Sequence, residues 1–198
     1  MSKINGIYAA SVSILDENLK LDIHKTIRHA ENLIKSGCHG VVIFGSTGQS
    51  QLISLEEKFE LIQNISKSIF KDKFIIGTGL NSLQDTVSLI KISNSYNFNN
   101  FLIMPPAYYM YEDKDVIRFY IKLIEKLSNC KIILYNFEKL SGYKFSKESV
   151  EKLVSLFPEN IIGVKDSSYN LFEHLKLKNF SILPGSELKL LKGLEIGC

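Results

Sequence analysis

The sequence predicts an α/β protein, a (β/α)8 barrel that is truncated at its C-terminus. Seven short apolar runs rich in β-branched and aromatic residues recur along the chain, and the segments between them have helical periodicity. Most of these runs begin roughly 30 residues apart, the length of one βα unit, and such alternation implies a parallel sheet. The predicted strands are Gly6–Val12, Gly40–Phe44, Phe74–Thr78, Phe101–Met104, Ile132–Tyr135, Ile161–Lys165 and Ser181–Leu183.

The clearest predicted helix runs from Ser54 to Phe70. The apolar residues that share one face of this helix are Leu55, Phe59, Ile62, Ile65 and Ile69. Ser54 followed by Glu57 forms a capping box, which satisfies exposed amides at a helix start. Asn81–Asp85 and Ser146–Glu148 carry similar start signals. The sequence therefore predicts helices between the strands, as a barrel requires.

Two architectures fit alternating strands and helices, an open doubly wound sheet and a closed (β/α)8 barrel. A doubly wound nucleotide binder carries a glycine-rich turn directly after its first strand, and Ala9–Val12 contains no glycine. The barrel is therefore favoured. A complete barrel takes about 250 residues, whereas this chain of 198 residues stops at Cys198, where an eighth strand would begin. We expect residues 1–198 to form one incomplete barrel domain, with seven strands and the start of the eighth unit.

The composition argues against several classes of function. The 24 Lys and Arg are scattered among 21 Asp and Glu, so the sequence has no electrostatic footprint for nucleic acid. No stretch approaches the roughly 20 apolar residues of a membrane span, and Met1–Ala10 shows no secretory signal. Cys38, Cys130 and Cys198 are widely spaced, which fits a reducing compartment and packing roles rather than a metal site. We therefore expect a cytoplasmic protein.

Polar residues that follow the second predicted strand are candidates for an anion site. The carboxyl ends of all strands in a parallel barrel converge on one face, and chemistry lies there. Gly45–Gly48 (Gly-Ser-Thr-Gly) offers two hydroxyls and glycine-loosened amides, which suit a carboxylate or phosphate. The same residue types fill ordinary turns, so a purely structural role is the alternative.

The sixth predicted strand is apolar but ends on Lys165. Burying a charged lysine is expensive, and a lysine that gives up its proton in such a site is the amine that forms Schiff bases with ketones. The alternatives are a charge that reaches solvent along the long side chain, or an ion pair with Asp166. Tyr135 ends the preceding strand, where its phenol could relay protons to an imine or simply be a hydrogen-bonded core residue.

Several ordered motifs resemble the dihydrodipicolinate synthase and N-acetylneuraminate lyase family of class I aldolases. The matching stretches span essentially the whole chain and are Gly45–Gly48, Pro105–Tyr109, Tyr135–Asn136 with Ser141–Gly142, Gly163–Ser168, Gly185–Ser186 and Gly197–Cys198. The resemblance implies a barrel fold and implies that about a third of a full family member is missing.

The resemblance also implies roles for single residues. Lys165 would form the Schiff base with pyruvate or a pyruvate-derived acid, and Tyr135 would pass the proton, so that no metal or organic cofactor is needed. Tyr108, with Tyr109 as second choice, would contribute to a neighbouring subunit's site, which implies a homodimer or a homotetramer. The implied substrate-binding residues are Ser46 and Thr47, which would hold the carboxylate, with Gly45, Gly185 and Ser186.

Some positions depart from the family pattern. Gln49 replaces a usual glutamate, and Leu140 stands where dihydrodipicolinate synthases generally carry an arginine for the second substrate's carboxylate. The neighbouring Lys139 does not reproduce a bidentate fork, which argues against lysine biosynthesis. Sugar-recognising lyases keep two adjacent acids after the seventh strand, and here Glu187 is followed by Leu188, which would leave part of a polyhydroxylated tail without partners.

These features predict a pyruvate-dependent class I aldolase or lyase. It would make or break a carbon–carbon bond between pyruvate and an aldehyde, acting on a 2-keto acid or keto-deoxy sugar acid. One alternative is 4-hydroxy-tetrahydrodipicolinate synthase, and another is a non-catalytic truncated relative. A third is a phosphate-binding barrel enzyme without imine chemistry, although such enzymes place the phosphate after strands seven and eight.

Overall fold

The computed structural model describes residues 4–198. Their contacts fall into two compact units, Asn5–Leu102 and Ile103–Cys198. In each unit, parallel strands alternate with helices.

The N-terminal unit is built on parallel strands that follow each other in chain order. β1 pairs with β2, β2 with β3 and β3 with β4. Every residue of β2 and β3 is buried, as expected for strands covered on both faces. The elements are β1 (Tyr8–Ala10), α1 (Ile23–Lys35), β2 (Gly40–Ile43), α2 (Leu55–Ile65), β3 (Phe74–Gly77), α3 (Leu83–Ser95) and β4 (Asn100–Ile103).

Helix α2 begins as predicted but ends early. The Ser54 hydroxyl accepts a hydrogen bond from the Glu57 amide at 3.2 Å, and the Glu57 carboxylate accepts one from the Ser54 amide at 3.0 Å, so the predicted capping box is confirmed. The helix stops at Ile65, and the Ser68 hydroxyl then caps the following turn. Ile69 lies beyond the helix and is 90% exposed, so its assignment to the apolar face was wrong.

The C-terminal unit contains three parallel strands, also in chain order. β5 pairs with β6 and β6 pairs with β7. The elements are α4 (Asp113–Ile124), β5 (Lys131–Asn136), α5 (Glu138–Ser141), α6 (Lys147–Leu156), β6 (Ile161–Asp166), β7 (Ser181–Pro184) and α7 (Leu190–Glu195). Ser146 caps α6, as predicted, and its hydroxyl also donates to Asp113 at the start of α4. Asp113 accepts a second hydrogen bond from the Tyr143 phenol at 2.7 Å, which ties the starts of the two helices together.

The order of the strands decides between the two predicted architectures. Within each unit the strands follow the chain without reversal, whereas a doubly wound sheet reverses its order at a switch point. The seven strands coincide with the seven predicted runs to within two residues at each end. The predicted (β/α)8 barrel class is therefore confirmed, with seven of its strands among the described residues. Among residues 4–198, no helix combines the length and apolar character needed to cross a membrane.

Candidate active site

Lys165 and Tyr135 occupy aligned positions on β6 and β5. The Lys165 Nζ lies 3.5 Å from the Tyr135 phenol oxygen and 4.5 Å from the centroid of its ring. Tyr135 is buried and Lys165 is half-buried. Because the amine and the phenol are within hydrogen-bonding reach, the phenol can exchange a proton with a group bound at the amine.

Asp166 follows Lys165 but does not pair with it. Its carboxylate is completely buried and accepts hydrogen bonds from Asn136 Nδ2 at 2.7 Å and from the Tyr169 amide at 2.9 Å. Its second oxygen accepts from the amides of Leu171 and Phe172 at 2.8 and 2.9 Å. In the part of the chain that the structure describes, no carboxylate lies within 4.0 Å of the Lys165 amine. The ion pair between Lys165 and Asp166, one of the alternatives raised by the sequence, is therefore not formed.

Gly185 and Ser186 follow β7 in the same unit. The Gly185 amide donates to the Asp166 carbonyl at 2.9 Å, which attaches the end of β7 to the end of β6. A Cβ at Gly185 would lie 2.8 Å from the Ser167 Cβ and 2.9 Å from its Cα. The close approach of these two segments of the backbone therefore requires glycine. The Ser186 hydroxyl accepts from the Leu188 amide at 3.2 Å.

The Gly45–Gly48 turn lies in the N-terminal unit, directly after β2. Phe44, just before it, has a left-handed φ of 54°. Within the turn the Gln49 amide donates to the Ser46 carbonyl at 3.0 Å, and the Ser13 hydroxyl donates to the Gly48 carbonyl at 2.6 Å. Gly45 is buried, Ser46 is half-buried and Thr47 is exposed. The turn is thus fixed by its backbone while it presents a hydroxyl to solvent.

Lys58 is a buried cation beside this turn and was not among the predicted site residues. Its side chain on α2 is fully buried, and its amine donates to the carbonyls of Ser50 and Ile53 at 2.7 and 3.0 Å. The ammonium also faces the Phe44 ring, 5.7 Å from the centroid. Burial lowers the pKa of Lys58 to about 8, while the nearby charge of Glu57 acts in the opposite direction. A lysine within an otherwise apolar helical face was the available signal.

Tyr108 projects from the loop after β4. It is 89% exposed and has a left-handed φ of 85°, which is unusual for a tyrosine. Its ring meets that of Tyr109 edge to face, with 5.1 Å between the centroids. Met110, the next residue, is 90% exposed.

The positions that depart from the family pattern lie at the surface. Leu140 on α5 is 47% exposed, and Lys139 beside it is exposed. Leu188 is 92% exposed, and its neighbour Glu187 is exposed as well. Within residues 4–198, the structure brings together no group of three or more His, Cys, Asp or Glu side chains that could hold a metal ion.

Comparison with known proteins identifies the family. A model of the dihydrodipicolinate synthetase family matches residues 3–198. The chain belongs to this family. The 4-hydroxy-tetrahydrodipicolinate synthase of Karelsulcia muelleri (strain GWSS) is 28% identical over 195 residues, which cover 94% of this chain and 65% of that relative. The enzyme of the same name from Listeria monocytogenes serotype 4b (strain CLIP80459) is 31% identical over 189 residues, which cover 92% of this chain and 62% of the relative.

A solved structure of another family member shares the fold. The dihydrodipicolinate synthase of Agrobacterium tumefaciens str. C58 has a TM-score of 0.89 to this chain at 27% identity, and the match covers 97% of this chain and 70% of that one. The chain thus spans slightly less than two thirds of the length of the two curated relatives.

Proposed function

We propose that this family member acts as a pyruvate-dependent class I aldolase or lyase, with Lys165 as the Schiff-base nucleophile. The observation that carries the proposal is the 3.5 Å approach of the Lys165 amine to the Tyr135 phenol at the aligned ends of two parallel strands. Membership of the dihydrodipicolinate synthetase family supports the same class of chemistry.

In the proposed reaction, the neutral Lys165 amine adds to the keto carbon of pyruvate and forms a carbinolamine. The Tyr135 hydroxyl passes the proton that moves from nitrogen to oxygen, and then the proton with which this oxygen leaves as water. The resulting iminium withdraws electrons from the pyruvate methyl carbon, so loss of a proton there gives an enamine. The enamine adds to an aldehyde, or forms when a carbon–carbon bond breaks in the reverse direction. Hydrolysis of the iminium restores the free amine, and the scheme uses no metal or organic cofactor.

Carboxylate binding is assigned in this proposal to Ser46 and Thr47. Two hydroxyls and the backbone amides of a glycine-flanked turn are suitable donors for a carboxylate. The further substrate-binding residues of the proposal are Gly45, Gly185 and Ser186.

For the aldehyde partner, the proposal favours the co-substrate of a 2-keto acid or keto-deoxy sugar acid aldolase, smaller or less hydroxylated than a sialic acid. Leu140 supplies no charge for a second carboxylate, and Leu188 supplies no partner for a hydroxylated tail. The second candidate is 4-hydroxy-tetrahydrodipicolinate synthase, which is supported by the curated relatives that carry this name.

We further propose that the protein forms a homo-oligomer in the cytoplasm. Tyr108 would complete the site of a neighbouring subunit in a homodimer or a homotetramer, and its 89% exposure supports this role. Sedimentation equilibrium of the unmodified chain and of Tyr108→Ser tests this role. If Tyr108 lies at the interface, loss of its ring should weaken the association between subunits. The wide spacing of Cys38, Cys130 and Cys198 along the chain fits a reducing compartment, and we propose that the protein lies in the cytoplasm.

Reductive trapping tests the covalent step. The chain is incubated with pyruvate and borohydride, and the adduct is located by mass spectrometry of peptides. We expect one adduct on Lys165 that is lost in Lys165→Ala and retained in Lys152→Ala, which removes an exposed lysine of α6. A folded chain that gives no adduct, or gives one elsewhere, contradicts the mechanism. Inhibition by phosphate without an adduct would favour the phosphate-binding alternative.

A panel of aldehydes tests the substrate class. Formation of a carbon–carbon bond with pyruvate is measured by mass spectrometry for glyceraldehyde and for succinic semialdehyde, which carries a carboxylate. We expect the unmodified chain to favour glyceraldehyde and Leu140→Arg to shift the preference toward succinic semialdehyde, since arginine supplies the missing fork. Preference of the unmodified chain for the carboxylated aldehyde would favour the synthase alternative.

A further inference from the structure

A second aligned pair of side chains lies directly after Tyr135 and Lys165. Asn136 and Asp166 are register partners at the ends of β5 and β6, and both are completely buried. Successive side chains of a strand point to opposite faces. Asn136 and Asp166 therefore lie behind the face that carries the amine and the phenol.

The Asp166 side chain acts as an acceptor in each of its four hydrogen bonds. Its four hydrogen-bond partners are all N–H groups, one from Asn136 and three from the backbone of residues 169, 171 and 172. Each carboxylate oxygen accepts two of these hydrogen bonds, so the acceptor capacity of both oxygens is used. A completely buried carboxylate with four N–H partners holds them firmly, because each lost partner would leave a buried polar group unsatisfied.

Asn136 is fixed in one orientation. Its Nδ2 donates to Asp166 and to the Asn170 side-chain oxygen at 2.7 and 2.8 Å, while its Oδ1 accepts from the Phe145 amide at 3.1 Å. A rotated amide would face donors with donors and acceptors with acceptors. The Asn136 carbonyl also accepts from the Ser167 amide at 2.8 Å, so main chain and side chain both join the two strand ends.

The distance that this pair controls is critical for the proposed chemistry. The 3.5 Å between the Lys165 amine and the Tyr135 phenol is slightly longer than the roughly 2.6–3.2 Å over which protons are transferred. A small slip between β5 and β6 would therefore decide whether the phenol can serve the amine. A displacement of about 1 Å can cost about 100-fold in rate.

We propose that Asn136 and Asp166 are positioning residues for Schiff-base formation at Lys165. Their buried pair holds the end of β5 against the end of β6 and so sets the separation of Tyr135 from Lys165. The inference rests on the proposed function and extends it to residues on the opposite face of the sheet. The Asn136–Asp166 pair would affect the rate of imine formation rather than the affinity for pyruvate.

The test compares Asp166→Asn with the unmodified full chain. Borohydride trapping is followed over time at a series of pyruvate concentrations, which separates the maximal rate from the half-saturating concentration. We expect the maximal rate to fall about 10- to 100-fold, while the half-saturating concentration changes less than about threefold. Asn136→Ser, which removes one partner of Asp166 and leaves its three backbone donors, should lower the rate in the same way and serves if Asp166→Asn does not fold.

Asp113→Asn is the matched control. Asp113 is another hydrogen-bonded aspartate of the C-terminal unit, but its partners are the hydroxyls of Tyr143 and Ser146. Thermal melts of both variants allow comparison at equal loss of stability, and Asp113→Asn should keep the trapping rate.

The possible failures can be told apart. An unmodified chain that forms no adduct overturns the proposed function, and the positioning inference with it. An adduct that forms as fast in Asp166→Asn or Asn136→Ser as in the unmodified chain overturns the positioning inference alone. Equal slowing in Asp113→Asn at equal stability also overturns it, because the effect would then be a general loss of structure.

Discussion

The Lys165 Nζ faces the ring of Tyr135, 4.5 Å from its centroid, while the phenol oxygen lies 3.5 Å from the same nitrogen. The aromatic ring and the hydroxyl thus contact one amine in two different ways. The ring stabilises a cation, and the hydroxyl can relay a proton. The two contributions can be separated by a substitution that removes the oxygen and keeps the ring.

Tyr135→Phe should slow imine formation at Lys165 and leave the fold intact. Loss of a proton relay costs about 100-fold or more in rate, whereas the cation–π contact remains. Time-resolved borohydride trapping measures the rate, and Tyr96→Phe, a half-buried tyrosine of the N-terminal unit, is the control. Trapping at an unchanged rate in Tyr135→Phe would exclude the phenol as the relay.

Gly185→Ala should destabilise the protein, and Gly45→Ala should have little effect on stability. A Cβ at Gly185 would meet Ser167 atoms at 2.8 and 2.9 Å, whereas at Gly45 the nearest atom is 4.0 Å away. Forcing an extra methyl group into such a contact costs about 1–3 kcal/mol. The midpoint of urea unfolding is measured for both variants. Equal midpoints would show that the segment after β7 can shift to accommodate the methyl group without loss of stability.

The strands could be predicted because their signal is local. Runs such as Ile161–Val164 combine apolar and β-branched residues, and a buried parallel strand needs little else. The start of α2 was equally local, since Ser54 and Glu57 cap each other across one turn. The end of α2 could not be predicted in this way. The turn after the helix is closed by the hydrogen bond from the Phe70 amide to the Ser68 hydroxyl, and the spacing of apolar residues gives no sign of this contact.

The polar interior was harder to predict for the same reason. Asn136 and Asp166 were visible as neighbours of the candidate residues, but their partners are backbone amides of a loop whose path depends on the folded unit. The only local signal for Lys58 was its position within the apolar face of α2. Its burial depends on hydrogen bonds to the carbonyls of Ser50 and Ile53. These two residues lie at the start and just after the end of a short 3₁₀ turn (Ser50–Leu52).

Tyr143→Phe should lower stability without slowing chemistry at Lys165. The Tyr143 phenol donates to Asp113 at 2.7 Å and also contacts the Ser149 hydroxyl at 3.3 Å. Removal of one hydrogen bond that leaves a partly buried carboxylate less satisfied costs about 1–3 kcal/mol. Urea unfolding gives the loss, with the exposed Tyr109→Phe as control. A slower trapping rate in stable Tyr143→Phe would contradict its purely structural role.

Lys58 should make the protein more stable as the pH rises above 8. Burial lowers the pKa of Lys58 to about 8 in the folded state, compared with about 10.4 in an unfolded chain. Between these values the unfolded state binds more protons, so its free energy rises relative to the folded state as protons become scarce. The gain from this one group reaches about 2–3 kcal/mol by about pH 10.

Comparison with Lys58→Met isolates this effect from all other titrating groups. The free energy of unfolding is measured in urea at pH 7 and pH 10 for the unmodified chain and the variant. From pH 7 to pH 10, the free energy of unfolding of the unmodified chain should increase relative to that of Lys58→Met. Lys67→Met removes an exposed lysine, and its free energy of unfolding should change with pH as that of the unmodified chain does. A constant difference between the unmodified chain and Lys58→Met would mean that the amine keeps its ordinary affinity for protons. In that case its hydrogen bonds to Ser50 and Ile53 would compensate fully for its burial.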